Sequence, residues 1–119
     1  MATATATSLI GGGRRNAWLA VAASDTDEVV VAAVTGKKIR VTAALLNHGD
    51  TTASAITFNS KGAGAGTAIS PPLKGPANGG FVVPDNPKGW FETVSGEALT
   101  VSSGAGSDTS IIVTYERVK

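Results

Sequence analysis

The sequence holds no cysteine, so neither disulfides nor thiolate metal sites contribute to its design, which suits assembly in a reducing cytoplasm. It has one histidine, His48, leaving the residue set that usually binds transition metals almost empty. Aromatic residues make up only 5% of the chain, and charge of either sign is sparse, ten Lys and Arg against nine Asp and Glu. A net charge of +1 supplies no basic patch to displace phosphate counterions, and no polybasic segment for an anionic membrane surface. Neither nucleic acid nor a membrane is therefore expected as a partner. No apolar run nears the ~20 residues of a membrane-spanning helix. The N-terminus lacks a basic segment followed by a long apolar core, so a soluble chain without a signal peptide is expected.

What is abundant is small or β-branched: Ala, Gly, Thr, Ser and Val, which suit pleated sheets joined by tight turns. Residues 1–16 stand apart. Met1 to Thr7 alternates small residues, Ser8-Leu9-Ile10 follows, and Gly11-Gly12-Gly13 precedes Arg14-Arg15, the only charged side chains before Asp25. Three glycines leave the backbone free, so 1–16 reads as an extended arm hinged at Gly11 to Gly13. Residues 17–119 read as one β-sandwich domain.

Within that domain strand patterns recur between turns. Ala17 to Ala22 is a first strand. Glu28 to Val34 is apolar on both alternating faces, as for a strand buried on both sides. Lys37 to Leu46 has the clearest period of two, with Ile39, Val41, Ala43 and Leu45 on one face and Lys38, Arg40 and Thr42 on the other. Further strands fall at Ser54 to Ser60, Gly80 to Pro84, Trp90 to Val94, Ala98 to Ser103 and Thr109 to Val118, where Ile111, Val113 and Tyr115 share a face. Lys61 to Gly66 reads as flexible, and Ser70-Pro71-Pro72 as extended. Eight or so short strands with Gly, Pro, Asn and Asp connections predict an all-β sandwich of jelly-roll or Greek-key type.

Catalytic chemistry finds little to work with. His48 sits in a turn-like Asn47-His48-Gly49-Asp50, and no Gly-x-Ser-x-Gly elbow accompanies it. Asp25, Asp27 and Glu28 form an acidic turn that lacks the glycine and distant glutamate of a helix-loop-helix calcium site, and it reads as a solvated turn. Gly62 to Gly66 superficially suggests a phosphate loop, but the prolines at 71 and 72 prevent the helix such a loop feeds. Asp85, Glu92 and Glu97 are the carboxylates from which a glycosidase pair would be drawn. Trp90-Phe91 reads either as a sugar-stacking platform or, preferably, as one core residue beside one edge or interface residue, because aromatics dominate burial. The reading is a non-enzymatic protein with no catalytic residue, no metal and no cofactor.

Gly36-Lys37-Lys38-Ile39-Arg40-Val41, Gly79-Gly80-Phe81-Val82-Val83-Pro84, Gly89-Trp90-Phe91-Glu92-Thr93, Gly96-Glu97-Ala98-Leu99-Thr100-Val101 and Val113-Thr114-Tyr115 occur in that order. Together they resemble small β-sandwich proteins of tailed-bacteriophage virions, some of which are capsid decoration or cement proteins. The resemblance runs from about Val29 to Val118 and rests on structural motifs. It implies a jelly-roll-like subunit, commonly a homotrimer, seated on the capsid exterior where major capsid proteins meet. On that footing the arm is expected to lie across capsid subunits, with Leu9 and Ile10 as apolar anchors and Arg14 and Arg15 as polar ones. The alternative is a tail, neck or fibre module of the same fold, with Trp90 and Phe91 touching host glycan.

Overall fold

Runs of alternating small, polar and branched residues can satisfy their backbone groups only by pairing sideways, and they do so here in two antiparallel sheets. The computed structural model describes residues 14–49, 53–104 and 108–119, together with the backbone of Thr5–Ile10. Among these are eleven strands: β1 (Thr5–Ile10), β2 (Arg14–Val21), β3 (Glu28–Val31), β4 (Lys38–His48), β5 (Ser54–Lys61), β6 (Thr67–Ala68), β7 (Leu73–Gly75), β8 (Gly80–Val83), β9 (Phe91–Glu92), β10 (Ala98–Ser103) and β11 (Thr109–Val118). One sheet runs β1-β2-β11-β4-β8, with β9 also pairing β4. The other runs β3-β10-β5-β6, with β7 also pairing β5. The chain crosses repeatedly between sheets, so this is an all-β sandwich of jelly-roll type, as the strand and turn pattern predicts.

The core lies between the sheets. Leu19, Val21, Ile39, Val41, Leu46, Ile111, Val113 and Tyr115 face inward from the first sheet, and Ile56, Phe58, Leu99 and Val101 from the second; all are buried. Phe58 meets Phe91 across the gap with ring centroids 5.0 Å apart, an offset distance favourable for aromatic pairs. Thr93 adds a polar tie inside this shell, its Oγ1 accepting the Ile39 amide hydrogen at 2.9 Å.

Three local expectations change. The longest alternation does not hold one phase: Thr114 pairs with Ala43 but Tyr115 pairs with Val41, so Thr42 is an extra residue in β4. Such a bulge reverses which side chains face the core. Ile39 and Val41 point inward as expected, but Ala44, Leu46 and His48 then take the inner positions and Leu45 is turned out. The bulged Thr42 donates its hydroxyl to the Thr114 carbonyl at 3.2 Å. Glu28 to Val34 is not a strand buried on both sides. Strand β3 ends at Val31 and pairs only with β10, so Val29 and Val34 are exposed. His48 is not a turn residue but the buried last residue of β4.

Within the segment read as an arm, Thr5–Ile10 forms β1 and pairs antiparallel with β2, Thr5 opposite Trp18 and Ile10 opposite Arg14. An extended segment beside an open sheet edge satisfies its amides and carbonyls by adding a strand. Strand β2 starts at Arg14, so the boundary expected between Asn16 and Ala17 falls inside it. The hinge expected at Gly11 to Gly13 lies outside the described residues.

Candidate functional site: an exposed apolar face

The chemistry-bearing residues are taken up by structural contacts. His48 hydrogen-bonds through Nδ1 to the Thr109 hydroxyl at 3.1 Å. Its Nε2 edge is covered by Gly75, where a Cβ would stand 2.6 Å from that nitrogen. That nitrogen is buried without a hydrogen-bond partner among the described residues, as is the hydroxyl of Ser54, which pairs with Gly75 across β5 and β7. Asp25 accepts the Ala22 amide hydrogen at 3.1 Å. Asp27 accepts from the Asn59 amide at 3.2 Å, the Thr100 hydroxyl at 3.1 Å and the Gly66 amide at 3.0 Å. These bonds tie the glycine-rich loop to β3 and occupy the carboxylate that a cation would need. Among the described residues no group of three or more His, Asp and Glu is arranged to hold a metal ion.

The three carboxylates considered for glycoside cleavage each serve a different partner. Asp85 pairs with Arg14 at 2.8 Å, Glu92 with Arg40 at 3.5 Å, and Glu97 accepts the Ser60 hydroxyl at 2.6 Å. A shallow hollow of about 550 Å³ beside Ser54, Gly75 and Gly104 has Lys74 as its only ionisable lining residue among the described residues.

What the surface does concentrate is apolar area on one face. Ile112 pairs with Trp18 on one side and with Leu45 on the other, and Leu45 pairs with Val82. The register therefore sets Trp18, Ile112, Leu45 and Val82 in one row across β2, β11, β4 and β8. All four are between 43% and 64% exposed. At ~4.8 Å between strands the row is about 14 Å long. On one flank Ala20, Ser110, Asn47 and Gly80 line up, and on the other Asn16, Thr114 and Ala43. A Cβ at Gly80 would collide with the Leu46 carbonyl oxygen and come 3.1 Å from the Asn47 Cα, so that position stays bare. Beyond the second flank Glu116, Arg40 and Glu92 form a paired charged row, at 3.4 Å and 3.5 Å.

Strand alternation separates the two aromatic residues picked from the sequence. Phe91 faces the core against Phe58, while Trp90 is 49% exposed and donates its indole N–H to the Pro84 carbonyl at 2.6 Å. Arg14 and Arg15 lie at the start of β2, Arg15 exposed and Arg14 bonded to Asp85. The backbone register brings Leu9 opposite Arg15 and Ile10 opposite Arg14, so the four positions proposed for partner contact gather at one end of the β1–β2 pair. The side chains of Leu9 and Ile10 lie outside the described residues.

The apolar row was missed in the sequence, although a signal for it exists. Trp18-Leu19, Leu45-Leu46, Val82-Val83 and Ile111-Ile112 are adjacent apolar residues within strands. In a sheet with one wet face, one of each pair must point outward.

No protein-family model matches the chain, and no curated protein sequence matches it. Solved structures of similar fold include the Schizosaccharomyces pombe Cnp3 cupin domain, at 8% identity and TM-score 0.43, covering 98% of this chain and 65% of that one. Another is the CBM22-1–GH10 portion of Clostridium thermocellum xylanase 10B, complexed with xylohexaose, at 10% identity and TM-score 0.49, covering 99% of this chain. A third is the virus-like particle of the Macrobrachium rosenbergii extra small virus, at 11% identity and TM-score 0.34, covering 97% of this chain and 86% of that one. The chain spans just under two thirds of the cupin chain and a quarter of the xylanase chain. The likeness is one of fold alone, an antiparallel β-sandwich.

Proposed function

We propose that this chain is a non-enzymatic virion protein that decorates the outside of a bacteriophage head, binding where major capsid proteins meet and stabilising the shell. The observation that carries a protein-binding role is the apolar row of Trp18, Ile112, Leu45 and Val82, four exposed large side chains set side by side on one face. Large apolar side chains gathered in one exposed patch mark interaction surfaces. The phage assignment itself comes from the motif resemblance between Gly36 and Tyr115. The mechanism is physical: each bound subunit adds buried area across a capsid boundary, and joined subunits multiply that contact through effective concentration. The end of the β1–β2 pair, with Leu9, Ile10, Arg14 and Arg15, is the proposed capsid contact.

Sedimentation with heads assembled without the protein tests this reading. The native chain is expected to travel with heads, and the double variant Arg14→Glu, Arg15→Glu to bind about 10-fold or more weakly, the effect of losing ~1.4 kcal/mol. Undiminished binding by the variant removes this end from the mechanism. A native chain that never sediments with heads removes the decoration role.

A second reading, a tail, neck or fibre module that touches host glycan, is favoured by Trp90. Its indole is pinned by the bond to Pro84 and borders a hollow of about 170 Å³ lined by Arg40, Lys88 and Glu92. A half-exposed ring held beside polar groups is a means of stacking on a sugar. On that reading a glycan array gives hits that Trp90→Ala abolishes at unchanged melting temperature. An array without hits ends it.

A further inference from the structure

We infer that one end of the first sheet is a basic docking site for an acidic protein segment, whose carboxylate is taken by Arg15 and Arg117. The inference rests on reading this end as the capsid contact, and gives that contact its chemistry.

Charge separation is the first reason. A net charge of +1 conceals an uneven distribution. The antiparallel register brings the start of β2, the end of β11 and the start of β4 to one end of the sheet, Arg15 opposite Tyr115 and Val118 opposite Lys38. Arg15, Lys37, Lys38, Arg117 and Lys119 gather there. At the other end Val21, Thr109 and His48 stand level, next to Asp108 and to Asp25, which holds the Ala22 amide. Ten residues of β11 at ~3.4 Å each keep the two ends about 34 Å apart. That is several times the ~8 Å screening length of physiological salt, so the acidic end does not neutralise the basic one. Such a field turns the basic end toward an acidic surface.

Pairing is the second reason. The carboxylates near this end already have partners. Asp85 holds Arg14, Glu92 and Glu116 both hold Arg40, and Glu97 accepts the Ser60 hydroxyl. Among the described residues no carboxylate forms an ion pair with Arg15, Lys37, Lys38, Arg117 or Lys119. The end is left with cations that only an outside group can match.

Geometry is the third reason. Arg15 lies directly opposite Tyr115, so both side chains leave the same side of the sheet, and Arg117 shares that side two residues on. The Arg117 guanidinium carbon stands 5.5 Å from the centre of the Tyr115 ring, a stacking that fixes its planar fork. Its Nε is buried and has no acceptor among the described residues. Two guanidinium groups beside one ring match a carboxylate, which accepts paired N–H bonds. A polyphosphate chain fits less well, because Glu92, Glu97 and Glu116 stand near the same end and repel its backbone.

Retention on immobilised polyglutamate, run beside sedimentation with heads, tests this. The native chain is expected to be held by both, and to be released as salt rises. Arg15→Gln and Arg117→Gln are each expected to bind about 10-fold or more weakly. Arg117→Lys keeps the charge but not the fork, and is expected to fall between Arg117→Gln and the native chain. Arg15 is exposed, so Arg15→Gln is expected to melt like the native chain. Lys74→Gln removes the same charge from the other end and is expected to bind as the native chain does. Native-strength binding by both glutamine variants, or an equal loss in Lys74→Gln, would overturn the inference. So would a tighter hold on duplex DNA than on polyglutamate. The two arms keep the readings apart. A chain that polyglutamate holds through Arg15 and Arg117, but that ignores heads, defeats only the decoration role. A chain that binds heads through neither arginine defeats only this inference.

Discussion

Phe58→Ala is expected to lower stability by about 3–5 kcal/mol, the usual cost of emptying a phenylalanine site in a core. For a chain of this size that corresponds to a fall of roughly 10–25 °C in melting midpoint. Phe58 is fully buried at the middle of β5, opposite Val101 in β10. It also reaches across the sandwich to Phe91, which is carried on the first sheet by β9. Its backbone is tied on the other side, the amide donating to the Ser70 hydroxyl and the carbonyl accepting from Ile69, both at 2.9 Å. The backbone is therefore unable to collapse into the space the ring leaves, so the cavity cost adds to the transfer cost. Phe91→Ala, at a partly buried position, is expected to cost less. Calorimetry of both variants checks the order; a Phe58→Ala loss below about 1 kcal/mol would show that the sheets do not meet through this ring.

Asp27→Ala is expected to cost about 3 kcal/mol or more, since hydrogen bonds to a charged acceptor are worth ~1.5–3 kcal/mol each and their loss is not fully additive. Asp27 gathers three donors from three separate elements, Asn59 in β5, Thr100 in β10 and Gly66 beyond the glycine-rich loop. Thr100 and Asn59 are buried and would lose that acceptor in the variant. The backbone at Asp27 is also left-handed, with φ of +49°, a conformation that Asp and Asn tolerate better than Ala. Asp27→Asn keeps the backbone preference and one acceptor oxygen, and is expected to lose less than Asp27→Ala. Urea titration gives the energies, and limited proteolysis between Lys61 and Gly66 is expected to quicken in step. Equal losses for Ala and Asn would move the whole effect from the hydrogen bonds to something both variants share.

This carboxylate also shows where the sequence misleads. Asp25, Asp27 and Glu28 read as a solvated turn, because adjacent acidic residues between strands carry no local hint of a distant donor. Asn59 and Thr100, 32 and 73 positions away, are brought to Asp27 only by the pairing of β10 with β3 on one side and with β5 on the other. Lys61 to Gly66 read as flexible for the same reason; its composition permits motion, yet Gly66 is held by Asp27 and the Lys61 ammonium donates to the Gly64 carbonyl at 2.8 Å. His48 follows the pattern too. Its Asn and Gly neighbours announce a turn, yet Asn47 and His48 both belong to β4, and burial against Gly75 and Thr109 is a tertiary event.

By itself the sequence determined the class of fold, the near-neutral charge and most of the strands, because a period of two and Gly, Pro, Asn and Asp punctuation are local properties that each segment carries alone. Ala98–Ser103 and Thr109–Val118 could be read off in full on that basis. Only the tertiary structure decided which side of each strand meets water. One extra residue at Thr42 reverses the facing of half of β4, and whether a bulge forms depends on how β11 pairs with it, 72 residues further along. The apolar face exists for that reason: Trp18, Leu45, Val82 and Ile112 are distant in sequence, and only the register of four strands sets them in one row.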